Sequence, residues 1–341
     1  MIDASLSRRR LLAGAASAMT VAACPLRASA ADSIVAAVSP GPWEEAYRKF
    51  VVPAAAKAGL DVQLSPGLSL EQIAKVRGSR GMPPYDVVTL DPGPRGNLVD
   101  LGLAETFDPS RLKNLGVLPA GAADNYGVAV SGQVMGIAYN PKKLPRPTGW
   151  KDLFKPEYVK RLGITGFQST YGTAALIEIA KAYGGSEQNI QPALDQIAKV
   201  LPDIAAIAQP AALPQLFQQG QIDVMFIVTQ FVDSFKGNGV DIDFVIPDTG
   251  AVAFFTTMHI PKGSKNVNAA YRYIDTVLSK EIQSDLARAP YYVVPVNREV
   301  AASTKNVMDL SDKRRFISHD WTKINSARPE WIDRFNKTVA R

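Results

Sequence analysis

Short apolar runs alternate with amphipathic helical stretches along most of this chain. That alternation confines it to a parallel sheet covered by helices on both faces. Ile34 to Val38, Val62 to Leu64 and Tyr85 to Leu90 read as strands, the last centred on Asp-Val-Val-Thr-Leu. Between them Trp43, Ala46, Tyr47, Phe50 and Val51 recur at helical spacing, and Leu70 to Val76 reads as a further helix. Pro42 suits a first helical position, and Pro53 is expected to bend or end that helix. A second series starts after Trp150. Strands are expected at Leu162–Thr165, Ile204–Ala208, Val224–Val228 and Phe244–Ile246, and helices at Thr173–Tyr183, Ile190–Leu201 and Ala211–Gln219. Ala251 to Ile260 is extended, Val267 to Leu278 is helical, and Trp321 and Trp331 fall in helices of the tail.

Two α/β series imply two lobes. Gly127 to Tyr139 reads as two extended pieces joined at Ser131-Gly132-Gln133, and crossings between the lobes are expected near 131–138 and 245–252. A chain that leaves one lobe, builds another and returns makes a two-stranded hinge, with a cleft that closes on a ligand. The expected division is 31–132 plus 250–297 for lobe 1 and 133–249 for lobe 2, with C-terminal helices in 298–341 packed on lobe 2.

Residues 1–30 read as an address. Ser7-Arg8-Arg9-Arg10-Leu11-Leu12 is a twin-arginine pattern, and Ala28-Ser29-Ala30 is the expected cleavage site. The apolar run Leu11–Ala23 would reach about 20 Å as a helix, short of the ~30 Å hydrocarbon core of a bilayer. Val21-Ala22-Ala23-Cys24 resembles a lipobox, so acylation of Cys24 is the alternative; Pro25 and the later cleavage site argue against it. Either route places the working compartment outside the inner membrane, in the periplasm.

Composition excludes several classes of function. Hydrophobic residues are 46 % and charged residues 21 %, which is globular. One cysteine and two histidines provide no disulfide framework and no Cys/His zinc site. Removing the leader lowers the formal net charge from +6 to +3, and no basic run is interleaved with aromatics, so no nucleic acid is expected as a partner.

The chemistry of catalysis is thin. Cys24 has no histidine near it in sequence, and His259 and His319 read as packed or surface histidines. There is no Gly-x-Ser-x-Gly elbow, no Walker loop and no Gly-x-Gly-x-x-Gly after a strand. In Asp91-Pro92-Gly93-Pro94-Arg95-Gly96 two prolines remove the backbone donors that a phosphate needs. Tyr291-Tyr292 invites a ferric-iron reading, but neighbouring strand residues point to opposite faces. No enzyme activity, metal or other cofactor is expected.

The informative pattern is in loops at the carboxyl ends of strands, where open α/β sheets bind ligands. Trp43 follows the first strand and Asp91 follows Tyr85–Leu90. Ser169, Thr170 and Tyr171 lie between a strand and a helix, and Thr229 and Gln230 follow Val224–Val228. Gln133, Phe254 and Thr256 lie on or near the crossings. Trp43, Tyr171 and Phe254 would supply stacking faces and the others hydrogen bonds. Asp248 is a further carboxylate candidate, and Thr322 is a candidate to close the cleft from the tail.

With these residues in place the chain resembles the exported solute-binding proteins of ABC importers, nearest the spermidine/putrescine-binding type and related to ferric-iron binders. The resemblance rests on the order and spacing of Tyr85-Asp86-Val87-Val88, Gly136-Ile137-Ala138-Tyr139-Asn140, Gly149-Trp150-Lys151-Asp152-Leu153-Phe154, Gly220-Gln221-Ile222-Asp223-Val224, His259-Ile260-Pro261-Lys262-Gly263 and Val294-Pro295-Val296-Asn297. It implies a two-lobed α/β fold of the type II periplasmic-binding-protein kind, with two crossovers and a hinged cleft. It also implies a monomer that captures a small-molecule ligand and hands it to membrane permease subunits. Polyamine binders of this type pair ammonium groups with carboxylates. Here the second-lobe loop Gln168-Ser169-Thr170-Tyr171 has no acid, and a position often acidic in that group is Thr256. A neutral, zwitterionic or anionic organic solute is therefore expected as readily as a polyamine, with a ferric or other metal ion as the alternative cargo.

Overall fold

A computed structural model describes residues 32–210, 212–303 and 316–340. Residues 1–30, read above as an address, and Cys24 among them, lie outside the described residues. In chain order the strands are β1 (Asp32–Val38), β2 (Leu60–Pro66), β3 (Val88–Leu90), β4 (Ala123–Asp124), β5 (Gly127–Tyr139) and β6 (Leu162–Ile164). They continue with β7 (Ala206–Ile207), β8 (Val224–Val228), β9 (Asp243–Val245), β10 (Ala251–His259) and β11 (Phe316–Ile317).

The first lobe starts with β1 beside β2 in parallel, and Ala36 bridges to Val87 just before β3. β3 then pairs with β10, and β10 with β5. The second lobe runs outward from the same pair: β5 to β8, β8 to β6 and β6 to β7. The fold is therefore the expected two-lobed α/β architecture, but its sheet is mixed rather than parallel, because β5 and β10 run antiparallel to each other and to β8 and β3 respectively, and this pair belongs to both lobes.

The hydrophobic cores show how that pair is shared. Val128, Ala129 and Val130 of β5 pack with Ile34, Val38 and Tyr47, while Met135, Ile137 and Tyr139 pack with Trp150, Leu176 and Phe226. Likewise Val252 and Phe254 of β10 enter the second core and Met258 enters the first. The register slips between Thr256 and Thr257, leaving Val130 without an opposite partner. Such a bulge bends and twists a ladder locally, here between the two cores.

Three elements differ from the sequence reading. Gly127–Tyr139 is one continuous strand rather than two pieces, because Ser131, Gly132 and Gln133 all pair with β10. The helix that opens at Pro42 neither ends nor breaks at Pro53. It passes through a π-helical turn, Tyr47–Val51, into Val52–Lys57. The wider turn accommodates a residue that cannot donate its backbone N–H. The C-terminal helices also divide. Arg298–Ser303 docks on the first lobe, with Arg298 donating to the Gly116 carbonyl and Glu299 paired to Lys280. Only Trp321–Val339 packs on the second core, through Ile324, Trp331 and Phe335.

At the end of β10, His259 is fully buried. Its Nδ1 donates to the Tyr126 carbonyl at 2.8 Å and its Nε2 accepts from Thr257 Oγ1 at 2.6 Å. Both nitrogens are thus used by the neutral ring, and burial holds the pKa down from 6.5 to about 4. The unfolded chain takes up this proton more readily than the folded one, so stability is full above pH 6.5 and falls as the pH drops toward 4. His259 alone accounts for a loss of about 3 kcal/mol by pH 4. Urea unfolding of the wild type and of His259→Gln across that window is expected to show a much flatter slope in the variant. Parallel slopes would show that another group governs acid sensitivity.

Candidate functional site

Asp91 stands at the end of β3 and at the N-cap of the helix Pro92–Asp100, yet its side chain does not cap that helix. Pro92 and Pro94 remove two of the N–H groups of the first turn, so the carboxylate has little to hold it there. It turns instead to the hinge. Thr256 Oγ1 donates to it at 3.1 Å and Gln133 Nε2 at 3.3 Å. Gln133 Nε2 also donates to Thr256 Oγ1 at 2.6 Å. Every other position of β5 is buried; Gln133 alone is half-buried. Burial raises the Asp91 pKa, while the Thr256 hydroxyl, the Arg328 charge and the Thr170 hydroxyl pull it back down.

The facing groups of the second lobe come from two helix starts. Ser169 caps the helix Thr170–Ala182 by accepting from the Gly172 N–H at 3.0 Å. Thr170, the first residue of that helix, is buried and feels Asp91 across the cleft. Tyr171 is half-buried and donates its hydroxyl to the Pro210 carbonyl at 2.8 Å. Thr229 and Gln230 are buried at the start of the helix Thr229–Gly237. Trp43 Nε1 donates to Gln230 Oε1 at 2.9 Å, which ties the start of the helix after β1 to the start of the helix after β8.

The structure thus gathers Asp91, Gln133, Thr170 and Thr256 into one polar cluster, with Trp43 and Gln230 as a second cross-cleft contact. Phe254 is built into the second core, edge-on to Trp321 at 6.3 Å. Asp248 is exposed and accepts from the Thr249 N–H, so it brings no charge to the cluster. Thr322 is exposed as well. A mainly apolar cavity of about 470 Å³ opens beside β10, lined by Pro92, Arg95, Phe255, Thr257 and Trp321 among others. Its main charge, Arg95, is paired with Asp124. The polar cluster, not this apolar space, has the groups that recognise a polar solute.

Three contributors were not placed in the site by the sequence reading. Arg328 is buried and donates to the carbonyls of Phe167 and Gln168. Its signal was present: Ile324, Arg328, Trp331 and Phe335 share one helical stripe, and a charge on an apolar stripe needs a partner. Ser131 lies opposite Thr256 in the ladder. Tyr292 has a left-handed backbone (φ 49°), and its hydroxyl lies 2.8 Å from where a Cβ on Gly237 of the second lobe would sit. Tyr291 is buried in the first core, so the two tyrosines do not converge on one point. Among the described residues, no group of three or more His, Cys, Asp or Glu side chains is placed to hold a metal ion.

The profile of the bacterial extracellular solute-binding proteins matches residues 82–327. The chain belongs to that family. It is 26 % identical over 210 residues to the spermidine/putrescine-binding periplasmic protein of Escherichia coli, covering 57 % of this chain and 58 % of that protein's length. It is 25 % identical over 296 residues to a putrescine/cadaverine-binding protein of Pseudomonas aeruginosa, covering 74 % of this chain and 83 % of the other. A crystal structure of an ABC transporter protein from Clostridium perfringens superposes with a TM-score of 0.72 at 24 % identity, covering 90 % of this chain and 99 % of that one. At that identity the superposition establishes the fold.

The Trp43–Gln230 bond should bias the hinge. Trp43→Phe keeps an aromatic ring and deletes one cross-cleft bond, worth about 1 kcal/mol or a fivefold change in the open-to-closed ratio. With one dye on each lobe, energy transfer is expected to fall in the variant without added solute. An unchanged efficiency would show that this bond does not hold the lobes together.

Proposed function

We propose that this chain is the extracytoplasmic capture component of an ABC importer. It closes two lobes around a small polar organic solute and presents the closed form to membrane permease subunits. The observation that carries this reading is the Trp43–Gln230 bond, which joins two helix starts 187 residues apart from opposite lobes. Its partners in the argument are the hydroxyl, amide and carboxylate groups that converge at the hinge. The cluster's hydroxyls and amide are already bonded to Asp91 and to one another, an arrangement that presents hydrogen-bonding groups to a solute. The leader supports export, with the twin-arginine route favoured over lipidation at Cys24 and the mature protein acting as a periplasmic monomer.

Two cargo classes follow from different observations. The names of the relatives favour a polyamine. The cluster itself favours a solute with at most one cationic group, since it holds a single carboxylate among neutral donors. Isothermal titration of the mature chain with diamines, amino acids and organic acids is expected to find one site per chain. The same solute should raise interlobe energy transfer, and Asp91→Asn should weaken its binding at least tenfold if it carries an amine. Absence of binding by every class, with no change in energy transfer, would overturn the reading.

A further inference from the structure

Arg328 is 5 % exposed where the helix Trp321–Val339 crosses the start of the helix Pro92–Asp100. Its Nε donates to the Phe167 carbonyl at 2.7 Å and its Nη2 to the Gln168 carbonyl at 2.9 Å, both uncharged acceptors. Its Nη1 lies against Gly93, where a Cβ would come within 2.5 Å. Burial lowers its pKa to about 10, so it stays cationic at neutral pH, and Asp91 is the anion whose charge favours that state. The hinge end of the cleft therefore contains one anion and one cation that attract each other, while the hydrogen bonds each of them makes go to neutral groups. Buried charges are far better satisfied by opposite charges. A third group is also incomplete. Ser131 is fully buried, shares the sheet face of Gln133 and Thr256, and its hydroxyl has no partner among the described residues.

We propose that this site takes a zwitterionic solute, with its ammonium on Asp91, its carboxylate on Arg328 and the Ser131 hydroxyl completing the hydrogen bonds. This assignment rests on the solute-capture reading and narrows its cargo. A diamine would bring two positive charges to a pocket that already contains Arg328. A dicarboxylate would bring two negative charges beside Asp91. A zwitterion leaves the buried charge at zero and gives each protein charge an opposite one. Asp233, one turn beyond Gln230 on the same helix, is a second carboxylate on that side; desolvation raises its pKa and the Lys236 charge pulls it back down. Lysine could not replace Arg328, because the planar fork holds two carbonyls and still offers donors to a carboxylate.

The test is titration of the mature chain with α-, β- and γ-amino acids, each matched to the diamine, dicarboxylate, monoamine and monocarboxylate of similar length. The best amino acid is expected to bind at least tenfold tighter than its matched diamine and dicarboxylate. Arg328→Lys should weaken that amino acid at least tenfold and its matched monoamine less than threefold. Asp91→Asn should weaken the amino acid at least tenfold and its matched monocarboxylate less than threefold. A purely structural role would weaken all probes alike and would overturn the assignment. If Arg328→Lys does not fold, the Asp91→Asn comparison decides alone. A diamine that binds as tightly as the amino acid overturns the zwitterion while leaving solute capture intact. No binding by any probe overturns both.

Discussion

The two antiparallel strands β5 and β10 are the constraint on which the rest of the molecule depends. Each contributes apolar side chains to both cores, so neither lobe completes its core without the pair. The ladder between them is continuous except at one bulge, between Thr256 and Thr257. A continuous ladder resists shear, and a bulge concentrates bending at one place. Lobe motion is thereby channelled into rotation about the stretch that contains Ser131, Gln133 and Thr256. Those three are also the polar residues of the pair that face Asp91 or lie opposite a residue that does. The pivot and the recognition groups are the same few residues, so solute contact and lobe rotation are coupled by construction.

A second constraint comes from the helix Trp321–Val339. It inserts Trp331 and Phe335 into the second core and at the same time lies flat on the helix Pro92–Asp100 of the first lobe. That close approach depends on Gly93 and Gly96: a Cβ on either would fall within 2.5 Å of Arg328 or Asn325 side-chain nitrogens. The helix therefore straps both lobes and delivers a guanidinium to their junction. An arginine on an otherwise apolar stripe is a poor choice for stability alone, since a hydrophobic residue there would cost no desolvation. Its presence makes sense when the charge has a task in the closed cleft.

Much of the architecture was readable from the chain because β-branched runs and helical stripes have different periods. Val224–Val228 and Val267–Leu278 coincide with the structure residue for residue. The failure at Ser131-Gly132-Gln133 is instructive. Small and polar residues inside an apolar run look like a turn, yet here all three pair with β10 in an unbroken strand. They are polar because of what they face. Loops after strands marked Trp43, Asp91, Ser169, Thr170, Thr229 and Gln230, since that position follows from topology alone. Arg328 did not emerge, and Tyr292 emerged only as a metal candidate, because their partners at Phe167, Gln168 and Gly237 are set by tertiary packing.

The site also shows why ligand chemistry cannot be carried over position by position from a resemblance. β10 carries Thr256 where the resemblance to polyamine binders would lead one to expect a carboxylate. The carboxylate is nevertheless there. It comes from Asp91 on the neighbouring loop and is bonded to the Thr256 hydroxyl at 3.1 Å. The prolines at positions 92 and 94 make this possible by leaving Asp91 little to cap. Specificity is fixed by where charges converge in the closed cleft, and there Asp91 must be weighed together with Arg328.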